Sequence, residues 1–350
     1  MGFEQLFPLT TEIRIDLPFH QWIRNFDSEF YRTHGHYNGV ADLTHLRDDE
    51  LLKHFIARGW YERRSYNRFI YSFLETEFYF NKYSDLGFGN LADAVAHWNY
   101  YGVYEKKIPN SVTQELLDAP IHLFQMGKVG SKSIECAMRN AGYSGLIPHL
   151  HWANEAILSY ADCFFSYEEI LSLPRLRPVK FISGIREPIG RAISGLFESA
   201  VAAKSSMSID YINEIVESGV VPLSLFMTEM IDPVLRWFDH EYYCGLNVYD
   251  QSFDVTRGYG VVENEAASVF LYRLDKLANC WPQLGDYVGL PLKVTSINQS
   301  LDKYYDSSYQ AVLSKAKFSR DFLEYVLGSR YCQTFFNKSE RKEIFVKYLV

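Results

Sequence analysis

The sequence predicts an α/β fold in which a parallel sheet lies between helices and an N-terminal helical module precedes it. Two apolar runs, 121–126 and 179–185, each end in a polar turn that leads into a pattern of helical period. Strands that alternate with helices in this way form parallel sheets. Before them, residues 1–110 contain two similar segments that each have the pattern of two short helices.

The first similar segment spans about 26–67 and the second spans about 75–110. Each is predicted to be a helix, a loop and a second helix that ends at a glycine, as a left-handed helix cap prefers. The matching residues are Phe30-Tyr31 with Phe78-Tyr79, His54 with His97, Gly59 with Gly102, Glu62 with Glu105 and Asn67 with Asn110. A repeat of this length packs against its neighbour to bury a common face.

Both histidines of the repeats lie in amphipathic helical patterns, so we expect His54 and His97 to be buried, hydrogen-bonded structural residues. A proline-flanked stretch follows the second repeat. We predict a linker at 111–120 and an α/β domain at 121–350.

Bulk composition excludes several classes of protein. With 350 residues, 47% of them hydrophobic, and a net charge of −8, the chain has ample material for a core and no basic signature for nucleic acid. It shows neither a leader pattern nor a run long enough to span a bilayer. Its five cysteines are scattered and form no zinc spacing, so we expect reduced thiols, no bound metal and a cytoplasmic location.

The stretch GKVGSKS, which follows the first apolar run, has the composition of a phosphate-binding loop. A triphosphate-binding loop of the Walker type needs a first glycine where this chain has His122, and a magnesium-binding hydroxyl where it has Val129. Both features are missing. The loop is therefore P-loop-like without being a magnesium–triphosphate loop.

What remains still favours an anion. Gly127 and Gly130 allow the backbone to turn and to approach a ligand, and Lys128 adds a charge. Ser131 and Ser133 bring hydroxyls to a helix start, where unpaired N–H groups and the helix dipole favour negative charge. The alternative is a plain strand–turn–helix with an exposed lysine.

A second strand-to-helix turn follows the run at 179–185. Arg186 stands at the carboxyl end of the predicted strand, Pro188 suits the first turn of a helix, and Ser194 lies on that helix. Ligands bind at the carboxyl ends of the strands in open parallel sheets. Arg186 and Ser194 are therefore candidates for a second anion site; the alternative is an edge charge and a core-facing hydroxyl.

Together the two turns resemble those of sulfotransferases that use 3′-phosphoadenosine 5′-phosphosulfate (PAPS). The first counterpart is Lys128-Val129-Gly130-Ser131-Lys132-Ser133, which departs from the family pattern at 132, where lysine replaces a hydroxyl. The second is Arg186-Glu-Pro-Ile-Gly-Arg191-Ala-Ile-Ser194, which matches in full. The resemblance covers roughly residues 120–345 and is strongest to a bacterial branch assigned to capsular polysaccharide synthesis and related to carbohydrate 2-O-sulfotransferases.

This resemblance implies a sulfotransferase with PAPS as cofactor. The first loop would hold the 5′-phosphosulfate, with Lys128 stabilising the leaving phosphate, and Arg186 and Ser194 would hold the 3′-phosphate. The acceptor would be a hydroxyl or amine of a glycan or a small hydroxylated metabolite. The N-terminal repeats resemble a repeat found beside bacterial glycan-modifying domains, which implies protein docking.

A general base is expected just after the first helix, where His149 and His151 stand two residues apart in a predicted strand. Related carbohydrate sulfotransferases have a similar His-x-His-aromatic strand, so His151 is the first candidate and His149 the second. Glu198 and Glu155 are the alternative carboxylates. His122, inside the first strand, is expected to be packed.

Roles are also expected for three residues nearer the C-terminus. Arg273 is expected to pair with Asp275 in a structural role, the alternative being a substrate carboxylate. By resemblance alone, Ser329 and Arg330 would close over the nucleotide. Two other functions remain open, a nucleotide phosphotransferase and a scaffold with a degenerate sulfotransferase domain.

Overall fold

A computed structural model describes residues 19–35, 42–59, 61–151, 171, 177–202, 209–240, 243–250, 253–294 and 306–350. The described chain divides into two compact units, one that ends at Glu115 and one that begins at Leu116. The boundary lies inside the helix Ser111–Asp118, within the stretch 111–120 that was predicted to link the domains. Asn110 caps this helix, because its side-chain oxygen accepts from the N–H of Thr113 at 2.8 Å.

The first unit is helical over its described residues. Its α-helices are α1 (Phe19–Arg24), α2 (Ser28–His34), α3 (Asp48–His54), α4 (Arg68–Ser72), α5 (Thr76–Lys82) and α6 (Leu91–His97), followed by the boundary helix α7 (Ser111–Asp118). Helices α3 and α6 each continue directly into one wider π-helical turn, at Phe55–Gly59 and at Trp98–Gly102.

The same tyrosine–histidine pair occurs at corresponding positions of the two similar segments. The hydroxyl of Tyr31 lies 2.9 Å from Nδ1 of His54, and the hydroxyl of Tyr79 lies 2.9 Å from Nδ1 of His97. Burial lowers the pKa of both histidines, so the neutral rings are favoured. The expected hydrogen bonds are observed, but both rings are half-buried and not buried as expected.

Gly59 and Gly102 have a different role from the one expected. Neither adopts the left-handed conformation of a helix cap. A β-carbon on Gly59 would lie 2.5 Å from the hydroxyl of Tyr31, and one on Gly102 would lie 2.1 Å from the hydroxyl of Tyr79. Each glycine is therefore required by the close approach of a tyrosine and not by a left-handed backbone.

The second unit is built on a five-stranded sheet of order β2-β1-β3-β5-β4. The strands are β1 (Ile121–Phe124), β2 (His149–Leu150), β3 (Val179–Ile185), β4 (Tyr259–Glu263) and β5 (Ala267–Arg273). Strands β2, β1, β3 and β5 are parallel, and β4 joins β5 antiparallel at the edge. The predicted mixed α/β class with a mainly parallel sheet is confirmed.

Helices connect and cover these strands. They are α8 (Ser131–Asn140), α9 (Pro188–Ala202), α10 (Ile209–Glu217), α11 (Val220–Leu235), α12 (Trp237–His240), α13 (Leu277–Val288), α14 (Asp306–Lys315), α15 (Arg320–Gly328), α16 (Arg330–Phe335) and α17 (Lys338–Tyr348). All four residues of β1 are buried, and β3 is buried at six of its seven positions. Runs without polar alternation are typical of parallel strands covered on both faces.

Candidate functional site

The candidate site is formed by the loops that leave β1, β2 and β3 at one edge of the sheet. Because the three strands are parallel neighbours, their carboxyl ends share that edge. Gln125 follows β1, His151 follows β2 and Arg186 follows β3. The sheet thus brings together the glycine-rich loop, the histidines and the second turn that the sequence separates.

The glycine-rich loop ends in a helix start without a side-chain cap. Lys128 and Gly130 have left-handed backbones, with φ of 72° and 92°. Gly130 is the cap residue of α8 and offers no side-chain acceptor. Among the described residues, the N–H groups of Ser131 and Lys132 have no acceptor, and the Ser131 and Ser133 side chains are buried beside them. These donors and the dipole of a ten-residue helix suit an anion.

Two residues of the strands β3 and β5 hold this loop in position. The hydroxyl of Tyr272 on β5 donates toward the carbonyl of Val129 at 2.7 Å and also lies 3.0 Å from the side-chain oxygen of Gln125. Gly184 on β3 packs against Val129 so closely that a β-carbon there would be 2.6 Å from the valine. The loop conformation therefore depends on contacts with both strands.

The second turn reaches the first through two arginines. Nη1 of Arg186 donates to the carbonyl of Lys128 at 3.0 Å, and Nε of Arg191 donates to the carbonyl of Gly127 at 3.2 Å. Burial lowers the pKa of Arg191. Ser194, three residues after Arg191, lies on the same face of α9 and is buried. The two predicted motifs are thus in direct contact.

The side chain of Glu187 occupies the start of α9. Its carboxylate accepts from the N–H groups of Ile189 and Gly190 at 2.8 and 2.7 Å. Burial raises the pKa of Glu187 although both bonds favour the charged form. Because these two N–H groups are already bonded, an anion at the second turn would have to be bound by side chains.

The two histidines lie against each other with ring centroids 5.0 Å apart. Only His149 belongs to β2, which is two residues long, and His151 is in the bend that follows. Nδ1 of His151 is 2.8 Å from the carbonyl of Gln125 and therefore carries a proton, so the lone pair of the neutral ring is on Nε2. This is the tautomer that a base at Nε2 requires.

His149 has a different environment. Its Nδ1 lies 3.5 Å from the carboxylate of Glu135 on α8, and its buried Nε2 has no hydrogen-bond partner among the described residues. The pKa of His149 is lowered mainly by burial and next by the neighbouring His151. The positive charge of the exposed Lys132 also lowers it. The neutral ring is favoured, and Glu135 is placed to orient it.

Other predicted residues have structural partners. His122 is fully buried, with Nε2 2.9 Å from the carbonyl of Ala119, as expected. Arg273 binds Asp275, as expected, and also Glu340 at 2.8 Å. Glu155 and the side chain of Glu198 lie outside the described residues.

The segment expected to close over the nucleotide has local contacts of its own. The Ser329 side chain caps α16 by accepting from Cys332 N–H at 3.2 Å. The Arg330 guanidinium lies 4.0 Å from the ring centroid of Tyr249.

Sequence reasoning missed the residues that support Arg186. The Tyr309 and Tyr331 hydroxyls both form hydrogen bonds with it, and the sequence carries no local signal for such distant partners. The capping role of Glu187 could have been predicted, because this residue precedes a proline at a predicted helix start. Glutamate is, however, not among the preferred capping residues.

Comparison with known protein families gives a partial match. Residues 215–337 match the model of the NKWYS family, described as "Putative capsular polysaccharide synthesis protein". The matched range contains β5, Tyr309 and Tyr331 but neither the glycine-rich loop nor Arg186. No curated protein and no solved structure matches the chain.

The match agrees with the capsular-synthesis part of the resemblance drawn from the sequence. Within the described ranges, every helix is too short or too polar to cross a lipid bilayer.

Proposed function

We propose that this protein is a PAPS-dependent sulfotransferase that acts on a hydroxyl or amine of a glycan or a small hydroxylated metabolite. The observation that carries the proposal is the contact between the two turns: Arg186 binds the carbonyl of Lys128, so two sets of anion-binding groups share one edge of the sheet. A ligand with phosphate groups at both ends of a nucleoside needs two such sets near each other.

The donor set fits PAPS. Uncapped N–H groups of α8 and the Ser131 and Ser133 side chains suit the 5′-phosphosulfate. Arg186 uses two of its five side-chain N–H donors on described residues, one for Lys128 and one for Tyr309, which leaves three for a 3′-phosphate. When bound, PAPS supplies an activated sulfuryl group for transfer.

Roles for the residues follow from their positions. Lys128 stabilises negative charge at the first turn. His151, with a proton on Nδ1 and a lone pair on Nε2, takes the acceptor proton. Glu135 orients His149, and the His149 ring packs against the ring of His151. The side chain of Glu187 already accepts from the N–H groups at the second turn, so Arg186 and Ser194 are the groups left for the 3′-phosphate.

Calorimetric titration with 3′-phosphoadenosine 5′-phosphate, against ATP with magnesium, tests this function. We expect micromolar binding of the bisphosphate and a loss of at least about tenfold in Arg186→Ala, since a hydrogen bond to a charged group contributes about 1.5–3 kcal/mol. Arg320→Ala is the matched control, because Arg320 is largely exposed and pairs with Glu324 on the same helix.

Two other outcomes would reject the proposal. Binding of ATP with magnesium in place of the bisphosphate would indicate a phosphotransferase. Binding of neither would favour the scaffold function and direct attention to the N-terminal repeats.

The base is tested separately. In His151→Asn we expect unchanged bisphosphate affinity and a fall in kcat of about 100-fold or more with an accepted substrate. A larger effect in His149→Asn than in His151→Asn would reverse the two assignments.

A further inference from the structure

The hydroxyl of Tyr331 satisfies both backbone groups of Arg186. It accepts from the Arg186 N–H at 3.1 Å and donates to the Arg186 carbonyl at 3.0 Å. Tyr331 has no exposed surface, and its ring packs among aromatic residues, including Phe238 and Phe335. The residue that follows β3 is thereby held by a helix far away in the sequence.

A second tyrosine holds the side chain of the same arginine. The hydroxyl of Tyr309 on α14 accepts from Nη2 of Arg186 at 3.0 Å, while the backbone carbonyl of Lys128 accepts from Nη1. Tyr309 is 4% exposed, and its ring meets Phe197 edge-on with centroids 5.6 Å apart. Arg186 is thus held at its backbone by one helix and at its guanidinium by another.

Packing alone does not require these hydroxyls. Phenylalanine has the same shape in an aromatic cluster and avoids placing a polar group in the interior. A buried hydroxyl is favourable only where it is hydrogen-bonded, and here both hydroxyls are bonded to Arg186. Their common partner points to a role in the position of that arginine.

We propose that Tyr331 and Tyr309 are positioning residues that fix the Arg186 guanidinium for the 3′-phosphate of a nucleotide. This inference rests on the proposed function and adds the residues that give the site its preference for a 3′-phosphorylated ligand. An arginine held in its binding orientation loses less side-chain entropy when the ligand binds. Neither tyrosine needs to touch the ligand.

The test compares two ligands that differ only in the 3′-phosphate. Affinities for 3′-phosphoadenosine 5′-phosphate and for adenosine 5′-monophosphate are measured on the full chain, on Tyr331→Phe and on Tyr309→Phe. We expect each variant to bind the bisphosphate about tenfold more weakly and the monophosphate unchanged. Tyr325→Phe is the control, since the Tyr325 hydroxyl is bonded to Asp232 at the surface.

The ratio of the two affinities separates positioning from a general structural role. If both ligands weaken equally in both variants, or if the ratio stays at the wild-type value, the inference is wrong. Should Tyr331→Phe not fold, Tyr309→Phe decides, since it leaves the backbone of Arg186 bonded to Tyr331. A wild-type protein that does not prefer the bisphosphate would overturn the proposed function as well.

Discussion

The two strand-to-helix turns at the edge of the sheet begin their helices in opposite ways. At the first, Gly130 caps α8 without a side chain, and the N–H groups of Ser131 and Lys132 are left without an acceptor among the described residues. At the second, the side chain of Glu187 accepts from the N–H groups of Ile189 and Gly190 in the first turn of α9. One helix start has open N–H groups, and the other has two of them bound by a side chain.

This difference shows that similar sequence patterns can begin a helix either with open N–H groups or with N–H groups bound by a side chain. The first turn offers backbone donors and a helix dipole, which suit an external anion. The second already has a carboxyl group bound to its N–H groups, so a phosphate there would depend on Arg186 and Ser194. Four substitutions test the contrast, in decreasing order of expected effect.

Gly184→Ala should disrupt the first turn most strongly. The new β-carbon would lie 2.6 Å from Val129 and 2.7 Å from the Tyr272 hydroxyl. Overpacking of this kind costs about 1–3 kcal/mol, which urea denaturation would measure, and we expect bisphosphate affinity to fall as the loop shifts. Gly328→Ala is the control, because nothing lies within 4 Å of its added carbon. Equal stability of the two variants would contradict the packing described here.

Glu187→Ala should remove the cap of the second turn and make it resemble the first. The N–H groups of Ile189 and Gly190 lose their acceptor, with an expected loss of about 1–2 kcal/mol in the free energy of unfolding. Asn337→Ala removes the cap of α17, where the side chain accepts from Glu340 N–H, and provides a matched surface comparison. A stability unchanged by Glu187→Ala would show that water replaces the carboxylate at no cost.

The pH dependence of stability should also report on Glu187. Burial raises its pKa in the folded state, so the folded protein holds this proton more tightly than the unfolded chain does. As pH rises from about 4.5 through the raised pKa, the wild-type protein should lose stability relative to Glu187→Gln, which does not titrate. Denaturation curves at several pH values would measure this, and a constant difference between the two proteins would rule it out.

Lys128→Gly should have the smallest effect on stability. It should stabilise the fold slightly and weaken bisphosphate binding. The left-handed backbone at φ 72° strains a lysine more than a glycine, so we expect a gain of about 0.5 kcal/mol. Bisphosphate affinity should fall because a charge is lost. Lys106→Gly is the control, since Lys106 also has a left-handed backbone, with φ of 56°, in the other unit. A similar loss of binding in both variants would argue against a specific role for Lys128.

Periodicity predicted the parts of the fold that depend on neighbours in the chain. Strands β1 and β3 lie within the predicted runs 121–126 and 179–185, and the helices that follow them begin near the predicted Ser131 and Pro188, because apolar runs and turn residues act locally. The roles of Gly59 and Gly102 were predicted incorrectly, since the tyrosines that require them approach from a separate helix. Local propensity at a helix end does not report such an approach.

The sequence by itself determined which chemical groups stand at each helix start: glycine, lysine and serine at one turn, and arginine, glutamate and proline at the other. Only the tertiary structure decided how they combine. Parallel pairing of β1 with β3 placed Arg186 against the carbonyl of Lys128, and packing of distant helices brought the Tyr309 and Tyr331 hydroxyls to Arg186. The physical reason is that the partners of Arg186 depend on strand order and on buried contacts between distant segments, which sequence spacing does not encode.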